Sequence, residues 1–428
     1  MTSRQRVVVA GGGMAGARLA QQTAGAGVDL TVVGEEPHGP YNRVLLGEVL
    51  AGRYTSDVVR LPPYPAEVRT LHGVRAVRID RGDRVLVCDD GSRLPYDRLV
   101  LATGANPVLP PLRGLFSQDS TASQGSTASQ AGTELPDGVL PFRTMDDCLA
   151  LGAQAREGVR AVVIGGGLLG VSAARALAQR GVQVLLAHQG ERLMERQLDA
   201  EAAEVLRRHM TDLGVEVHTE CRVRGVRTDG AHGAARTVRA VELADGCTLD
   251  AGLVVLSCGT RPRTGLARAA GLRVERGVVV DDSLRTSDPH IHAIGDCAEH
   301  NGVLYGRAGP AQEQADILAA VLTRPAPPRY RGTRALTRLT LASGGPSGQL
   351  PLDLASFGET SPLPDDDVVR LADATRGRYR KVVVRGDRLV GGILLGDLGT
   401  VGALARTWEG DEPLPSAPLH HLLTNDGG

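Results

Sequence analysis

The chain has 428 residues, of which 42% are hydrophobic and 23% charged, the balance of a folded protein rather than a disordered one. Basic and acidic side chains nearly cancel (48 against 49) and aromatic residues make up 3%, so no nucleic-acid partner is expected. At about 150 residues per domain, this length predicts roughly three domains.

Cysteine spacing and hydropathy favour a cytoplasmic protein with no membrane partner. None of the six cysteines forms a C-x-x-C pair, so no metal site is expected. Scattered thiols suit a reducing cytosol. The first residues, MTSRQRVVVAGGGMAG, are charged and then apolar, but three consecutive glycines argue against a signal peptide. No run reaches the ~18 apolar residues of a membrane span.

A first glycine-rich motif lies in residues 6–16, RVVVAGGGMAG. A β-branched run predicts a buried strand, and the Ala/Leu-rich stretch after the glycines predicts a helix. In such a turn the first glycine allows the tight bend, the second allows a pyrophosphate to approach the backbone, and the third lets helix and strand pack closely. The helix N-terminus then offers N–H groups to phosphate. The loop residues expected to bind a dinucleotide are Gly11, Gly13, Met14, Ala15 and Gly16.

An acidic residue at the end of the following strand is expected to bind the adenosine ribose. The strand reads VDLTVV, and Glu35 is the better candidate, with Glu36 the second choice. A carboxylate here suits an unphosphorylated ribose, as in FAD or NAD.

Two further segments repeat each other, RLVLATGANP at 98–107 and LVVLSCGTRP at 253–262. Both are apolar strands that end in a small residue and Gly before Pro, a turn expected where the chain crosses between domains. Between them, residues 117–137 contain the repeated unit STASQ and are expected to form a flexible, low-complexity surface loop.

The glycine motif occurs a second time in residues 160–170, RAVVIGGGLLG. It again follows a predicted strand and opens a predicted helix, which indicates a second dinucleotide site. The residues expected to bind there are Gly165, Gly167, Leu168, Leu169 and Gly170.

The position of the ribose-binding acid in this second copy holds His188. A histidine there, with Arg192 close behind, could tolerate or favour the 2′-phosphate of NADPH. NADH binding, or a loss of nucleotide binding with His188 as a solvated loop residue, stays open.

Near the end of the predicted nucleotide-binding region, residues 286–300 read TSDPHIHAIGDCAEH. A buried strand at 292–294 is expected to deliver Gly295 and Asp296 to a helix start. A carboxylate there can hydrogen-bond a flavin ribitol hydroxyl, and the helix N-terminus would face the isoalloxazine. The alternative is that Asp296 only caps the helix.

The last hundred residues predict a separate domain. RPAPPRYR at 324–331 resembles a linker, and strand-like runs follow at 334–341, 379–384 and 388–395. A hairpin turn is expected at Gly386 and Asp387.

The motifs together resemble the flavoprotein reductases with two dinucleotide-binding domains of the FAD/NAD(P)-dependent pyridine nucleotide-disulfide oxidoreductase type. Within them the chain most resembles the flavoprotein portion of the NAD(P)H nitrite reductase large subunit and rubredoxin reductase-like electron-transfer reductases. Besides both glycine loops, the resemblance rests on GEEPHGPYNRVLL, FRTMDDCLAL, RLMERQLD, CGTRPRTGLARAAGL and YRKVVVRGDRLVGGILLGD.

The resemblance implies an α/β fold with two Rossmann-like three-layer ββα domains and a smaller C-terminal α+β domain. The FAD domain is expected at 1–116 and 263–328, the NAD(P) domain at 138–262, and the interface domain at 331–428. The resemblance assigns FAD to the first loop and NADPH or NADH to the second. Further expected contacts are Arg43, Ala76, Val77, Thr103, Gly104, Gly295 and Asp296 for FAD, and His188 and Gly259 for NAD(P).

The chain departs from the family pattern at three positions. Ser172 and His188 stand where relatives usually carry Glu, and Glu48 where some carry Lys. The redox cysteines of the disulfide reductases are absent as well, and Cys258 and Cys297 are interpreted as inert buried thiols.

The implied activity is hydride transfer from NAD(P)H to FAD, followed by electron transfer to an external acceptor. Nitrate or nitrite reductase and ferredoxin- or rubredoxin-like proteins are the expected acceptors, in nitrate or nitrite assimilation. No catalytic side chain is assigned, because the cofactors supply the chemistry. A flavin oxidase or monooxygenase, an FAD-binding protein with a degraded nicotinamide site, and a homodimer stay open.

Overall fold

The computed structural model describes residues 4–116, 135–230, 236–341, 351–414 and 419–423. Residues 117–134 of the predicted low-complexity loop lie outside the described residues. In the described parts of the chain, no helix combines the length and hydrophobicity that crossing a membrane requires. The chain divides into two compact units, residues 1–46, 54–106 and 260–333 in the first, and residues 47–53, 107–259 and 334–428 in the second.

The first unit is built on a five-stranded parallel sheet. Its strands lie in the order Ile291–Ala293, Arg98–Leu101, Gln5–Ala10, Val28–Gly34 and Arg69–His72. Residues 7–9, all valine, form part of the buried core, because a parallel sheet is covered on both faces. The helices Met14–Thr23 and Ala308–Thr323 pack against each other beside this sheet.

Smaller elements complete the first unit. An antiparallel sheet contains the strands Ala76–Asp80, Val85–Cys88 and Arg93–Pro95. Two-stranded pairings join Val278–Val280 to Ala298–His300 and Thr260–Pro262 to Ala105–Pro107. The short helical segments are Arg43–Leu45, Leu46–Leu50, Gly265–Ala269 and Gly295–Cys297, of which Leu46–Leu50 continues into the second unit.

The predicted helix start at Asp296 is wrong. Gly295–Cys297 is a single 3-10 turn, and the chain then extends as the strand Ala298–His300. Because this strand pairs in parallel with Val278–Val280, its backbone is committed to a sheet, and the next helix begins only at Ala308.

The second unit contains another five-stranded parallel sheet. The order of its strands is Glu216–His218, Gln183–Ala187, Arg160–Ile164, Leu253–Leu256 and Val139–Pro141. Its helices are Met145–Gln154, Leu168–Ala178 and Ala200–Asp212. An antiparallel sheet of Val223–Asp229, Thr237–Leu243 and Thr248–Asp250 is attached to it.

The C-terminal part of the second unit is a five-stranded antiparallel sheet. Its strands lie in the order Thr337–Leu341, Leu352–Gly358, Arg388–Leu395, Arg378–Arg385 and Asp367–Asp373, followed in the chain by the helices Val401–Gly410 and Leu419–Leu423. The predicted hairpin is confirmed, with Gly386 at φ +62° in its two-residue turn. The α/β fold class is confirmed, whereas the three-domain boundaries stay a prediction.

The chain's only lysine, Lys381, lies buried in this antiparallel sheet with 8% of its surface exposed. Its ammonium donates to Asp199 Oδ2 over 2.9 Å, and the Tyr379 hydroxyl donates to the same oxygen over 2.6 Å. Asp199 Oδ1 accepts from the backbone N–H of Ala202 and so caps the helix Ala200–Asp212. Burial alone would raise the pKa of Asp199, but Tyr379, Lys381 and Ala202 outweigh it and hold the pKa below its usual value.

Replacing Lys381 by Met should lower the free energy of unfolding at pH 7 by about 1–3 kcal/mol, because a half-buried carboxylate loses its charged donor. Because the pKa of Asp199 is lower in the folded state than in the unfolded state, its carboxylate stabilises the fold at pH values above the unfolded-state pKa. This stabilisation is lost as the pH falls through the folded-state pKa. The difference between Lys381→Met and the parent should therefore shrink in acid. Urea unfolding at several pH values measures both effects.

Arg376→Met is the matched control, because Arg376 pairs with Asp373 on the surface and its side chain is 71% exposed. This change should leave the unfolding free energy almost unchanged at every pH. Equal unfolding midpoints for Lys381→Met and the parent at pH 7 would contradict the stabilising role of Lys381.

Candidate functional site

The first glycine loop follows the strand Gln5–Ala10, and the fold itself requires two of its glycines. Gly11 has φ +131°, and a Cβ placed there would overlap the carbonyl of Ala102. A Cβ on Gly16 would overlap the carbonyl of Gly11. The turn and the close helix–strand packing inferred from the sequence are therefore present in the structure.

Gly13 differs from its two neighbours in the motif. It precedes the helix Met14–Thr23 with an extended φ of −77°, and a Cβ there would meet no described atom within 4 Å. Met14, Ala15 and Gly16 form the first turn, whose N–H groups have no partner within the helix. The loop thus has an open side with backbone donors, which fits the pyrophosphate of a dinucleotide.

Two other strand ends of the same sheet carry expected site residues. Thr103 and Gly104 follow Arg98–Leu101, and a Cβ on Gly11 would lie 3.1 Å from the Thr103 nitrogen. Gly295 and Asp296 follow Ile291–Ala293, and a Cβ on Gly295 would lie 3.3 Å from Cβ of Ala15. The structure therefore brings the Thr103 and Gly295 segments directly against the first loop.

Both acidic candidates after the strand Val28–Gly34 already have basic partners. Glu35 forms an ion pair with Arg263. Glu36 accepts from the Arg43 guanidinium over 2.6 Å and from the Tyr41 hydroxyl over 2.6 Å. Neither Arg263 nor Tyr41 was predicted from the sequence. Arg263 lies 228 positions from Glu35, and the five-residue separation of Tyr41 from Glu36 follows no helix or strand period.

Arg43 is one of two arginines at this edge of the first unit, the other being Arg263. Burial works against its charge, but Tyr41, Glu36 and Asp296 outweigh burial and raise its pKa above the usual value. Arg43 therefore stays protonated in the physiological range. The remaining FAD candidates, Ala76 and Val77, begin the strand Ala76–Asp80. Two residues before this strand, the backbone N–H of Val74 donates to the carbonyl of Gly34.

The second glycine loop repeats the geometry of the first in the other unit. Gly165 has φ +115°, and a Cβ there would overlap the carbonyl of Ser257. A Cβ on Gly170 would overlap the carbonyl of Gly165, whereas a Cβ on Gly167 would meet no described atom within 4 Å. Leu168 and Leu169 open the helix Leu168–Ala178. The second loop fits a dinucleotide on the same grounds as the first.

Gly259, the last residue expected at the second site, follows the strand Leu253–Leu256. It has φ +101°, its carbonyl accepts from Val108, and a Cβ there would meet no described atom within 4 Å. Gly259 is thus separated by one residue from Ser257, the residue that packs on Gly165.

His188 lies immediately after the strand Gln183–Ala187 and contacts the second loop directly. The backbone N–H of Gly166 donates to its Nδ1 over 3.1 Å, and a Cβ on Gly166 would lie 2.7 Å from its Cγ. His188 is therefore not a solvated loop residue, because its ring packs on the glycine turn.

The other departures from the family pattern meet in the second unit. Arg175, which is fully buried in the helix Leu168–Ala178, donates to Glu48 over 2.5 Å. A Cβ on Gly47 would overlap the Ser172 hydroxyl, so the small side chain at 172 lets the segment 47–53 approach this helix. Burial lowers the pKa of Arg175, and Glu48 acts in the opposite direction.

None of the six cysteines, all of which lie in the described residues, forms a disulfide. Cys297 is fully buried and donates to the carbonyls of Leu101 and Ile294, and burial raises its pKa. Burial also raises the pKa of Cys258, to about 11. Both thiols are thus protonated and poorly nucleophilic near neutral pH. Within the described ranges no cluster of three His, Cys, Asp or Glu side chains could hold a metal.

Comparison with known families gives two matches. Residues 5–315 match the family described as pyridine nucleotide-disulphide oxidoreductase, and residues 350–407 match the rubredoxin NAD+ reductase C-terminal domain. These matches confirm the resemblance inferred from the sequence motifs.

Individual proteins agree with the family matches. The chain is 31% identical over 405 residues to a nitrite reductase [NAD(P)H] of Bacillus subtilis, covering 92% of this chain and 46% of that protein. It is 33% identical over 401 residues to the assimilatory nitrate reductase electron transfer subunit of the same organism, covering 92% and 48%. The chain thus spans about half the length of these curated relatives. A ferredoxin reductase structure from Rhodopseudomonas palustris aligns with TM-score 0.79 and 26% identity, covering 97% of this chain and 98% of that one.

Alanine at Gly13 and alanine at Gly11 should have different consequences. Gly13→Ala introduces no contact within the protein, so the flavin-free chain should keep its unfolding free energy within about 1 kcal/mol. The methyl group would occupy the open side of the loop, so bound flavin per chain should fall sharply. Gly11→Ala should destabilise the flavin-free chain by about 2 kcal/mol or more, because it combines positive φ with steric overlap. Thermal unfolding and flavin content measure the two effects.

Gly25→Ala serves as the control for the positive-φ substitution, because Gly25 has φ +71° and a Cβ there would meet no described atom within 4 Å. Full flavin content in purified Gly13→Ala would show that the open side of the first loop does not face the cofactor.

Proposed function

The chain belongs to the pyridine nucleotide-disulphide oxidoreductase family, and on that premise we propose that it takes a hydride from NAD(P)H onto bound FAD and passes electrons to an external acceptor protein. Enzymes of this family use FAD and NAD(P)H. The observation that carries the proposal is the pair of glycine loops, one in each unit. Each loop has two sterically obligatory glycines and one glycine that faces open space.

We assign the first loop to FAD. Gly11, Gly13 and Gly16, with the N–H groups of Met14 and Ala15, would hold its pyrophosphate. The other residues that would hold it are Glu35 and Glu36 toward the adenosine ribose, Ala76 and Val77 toward the adenine, and Arg43, Thr103, Gly104, Gly295 and Asp296 toward the flavin. Bound FAD supplies the hydride-accepting chemistry, which no side chain of the chain can provide.

The ion pairs around this loop suggest what the protein contributes. Arg263 and Arg43 hold Glu35 and Glu36 in fixed positions, so the two carboxylates at the strand end are not free to swing into solvent. The charged form of Arg43 places a permanent cation in the flavin half. These groups bind and orient, and no proton transfer by a side chain is needed for hydride transfer.

We assign the second loop to the nicotinamide coenzyme. Gly165, Gly167 and Gly170, with Leu168 and Leu169 in the first helical turn, would hold its pyrophosphate. His188 and Gly259 would lie at the neighbouring strand ends. The integrity of this loop argues against a degraded nicotinamide site, because its glycines meet the same steric demands as those of the first loop.

Electrons must leave without a thiol relay, because none of the six cysteines forms a disulfide. Burial also raises the pKa of Cys258 and of Cys297, the two cysteines in cofactor-adjacent motifs, so both thiols stay protonated. We therefore infer an external acceptor. A relative of this chain is named as the electron transfer subunit of an assimilatory nitrate reductase, and the C-terminal match is to a rubredoxin reductase domain. We propose a nitrate or nitrite reductase or a ferredoxin- or rubredoxin-like protein as acceptor, in nitrate or nitrite assimilation.

Three further expectations belong to the same proposal, on the domain boundaries, the cellular compartment and the oligomeric state. The FAD domain would comprise residues 1–116 and 263–328, the NAD(P) domain residues 138–262, and the interface domain residues 331–428. Free thiols suit a reducing cytoplasm. We propose a homodimer, and light scattering of the flavin-loaded protein tests it.

Anaerobic stopped-flow mixing with NADH and with NADPH tests the proposed function. At least one coenzyme should bleach the flavin absorbance faster than buffer alone does. Gly167→Ala should keep its flavin but slow the bleaching at least about tenfold, because the coenzyme would be displaced from the loop. Gly152→Ala is the control, since a Cβ there meets no described atom and Gly152 lies outside both loops. Bleaching no faster than with buffer alone, for both coenzymes, would refute the reductase.

Thiol alkylation separates this enzyme from disulfide reductases of the same family. Treatment of the NAD(P)H-reduced protein with N-ethylmaleimide should leave electron transfer to ferricyanide or cytochrome c unchanged, because no cysteine carries electrons. The exposed Cys247 should be modified, and mass spectrometry would verify that reaction. Loss of electron transfer on alkylation, in step with modification of a second cysteine, would contradict the flavin-only route.

A further inference from the structure

His188 has only one way to bind a ligand, because the Gly166 N–H fixes its tautomer. A backbone N–H can only donate, so Nδ1 is the acceptor, and the neutral ring carries its proton on Nε2. The ring therefore has no acceptor left for a hydroxyl group. What remains is the Nε2–H donor at the end of the strand Gln183–Ala187.

That remaining donor is buried and unused. His188 Nε2 has no hydrogen-bond partner among the described residues, and Arg192 Nε, four residues later, is buried and unpartnered in the same way. A buried N–H without an acceptor is unfavourable, so each donor is expected to gain an acceptor when the site is filled. Two unpartnered donors close together in the chain favour a ligand rich in acceptor oxygens.

Two carboxylates lie near these donors. A Cβ on Gly190 would lie 2.9 Å both from His188 Nε2 and from Glu195 Cδ, so Glu195 stands beside the imidazole. Glu191 lies 3.7 Å from the Arg192 guanidinium, with its side chain 74% exposed. Glu195 is exposed as well. Water already hydrogen-bonds to exposed carboxylates. The groups at this strand end that lack hydrogen-bond partners are therefore the two N–H donors.

We propose, resting on the function proposed above, that His188 and Arg192 select the 2′-phosphorylated coenzyme NADPH over NADH. An acid at the end of the second strand recognises the 2′-hydroxyl of NAD, whereas NADP is accommodated by a basic group. Here the strand end presents a histidine restricted to donating and an arginine. A 2′-phosphate offers several acceptor oxygens and negative charge to these N–H groups, so its hydrogen bonds are charge-assisted.

Titration calorimetry with two nucleotide fragments tests this selection without turnover. The probes are 2′,5′-ADP, which carries the 2′-phosphate, and 5′-ADP, which lacks it, each titrated into the flavin-loaded protein. The fragment 2′,5′-ADP should bind at least about tenfold more tightly. Equal affinities, tighter binding of 5′-ADP, or no binding of either fragment would overturn the proposal.

Three variants identify the side chains involved. His188→Glu should reverse the preference, and Arg192→Gln should weaken only 2′,5′-ADP binding. Glu195→Gln should strengthen 2′,5′-ADP binding and leave 5′-ADP binding unchanged. If Glu195→Gln instead weakens 5′-ADP binding, Glu195 reads a ribose hydroxyl and the proposal is overturned. Flavin content and circular dichroism verify folding, and the Arg192 variant tests the proposal even if His188→Glu misfolds, because the Arg192 side chain is 41% exposed.

The proposed function and this inference fail in different ways. Faster anaerobic bleaching of the flavin by NADH than by NADPH would leave the reductase intact and overturn the coenzyme selection. Bleaching by neither coenzyme, with 2′,5′-ADP still bound tightly, would refute the reductase while the selectivity of the second loop stands.

Discussion

The structure depends on a steric constraint that occurs at two places in the chain. Where the strands Gln5–Ala10 and Arg160–Ile164 end, the chain turns so tightly that a Cβ on the first glycine would overlap a carbonyl of the neighbouring strand's extension. The third glycine is constrained by the carbonyl of the first. The second glycine of each motif has no such constraint. That difference separates what the fold needs from what a ligand needs, and it holds in both units.

Much of the fold could be predicted because it depends on local patterns. The β-branched runs before the glycine loops and the two-residue hairpin turn at Gly386 and Asp387 are encoded within a few residues. The helix start expected at Asp296 failed for a non-local reason. The strand Ala298–His300 pairs with Val278–Val280, and the local sequence contains no sign of that partner.

The side-chain pairs of the candidate sites were less accessible from the sequence. Glu35 and Arg263 are separated by 228 positions, and Glu48 and Arg175 by 127. Neither pair follows a spacing that periodicity could reveal, because each depends on how distant strands and helices come together. The sequence located His188 by its place after a strand, but its bond to Gly166, and hence its tautomer, required the structure.

The burial of Lys381 has a practical consequence for handling the protein. In a chain that uses arginine for the rest of its 48 basic side chains, the sole ε-amino group lies against Asp199 and Tyr379. Amine-directed cross-linkers, biotinylation esters and resin coupling would find no readily accessible lysine on the folded protein. Contacts with an acceptor protein are therefore better captured with carboxylate- or arginine-directed reagents. A gain in lysine reactivity would in turn report that the C-terminal sheet has opened.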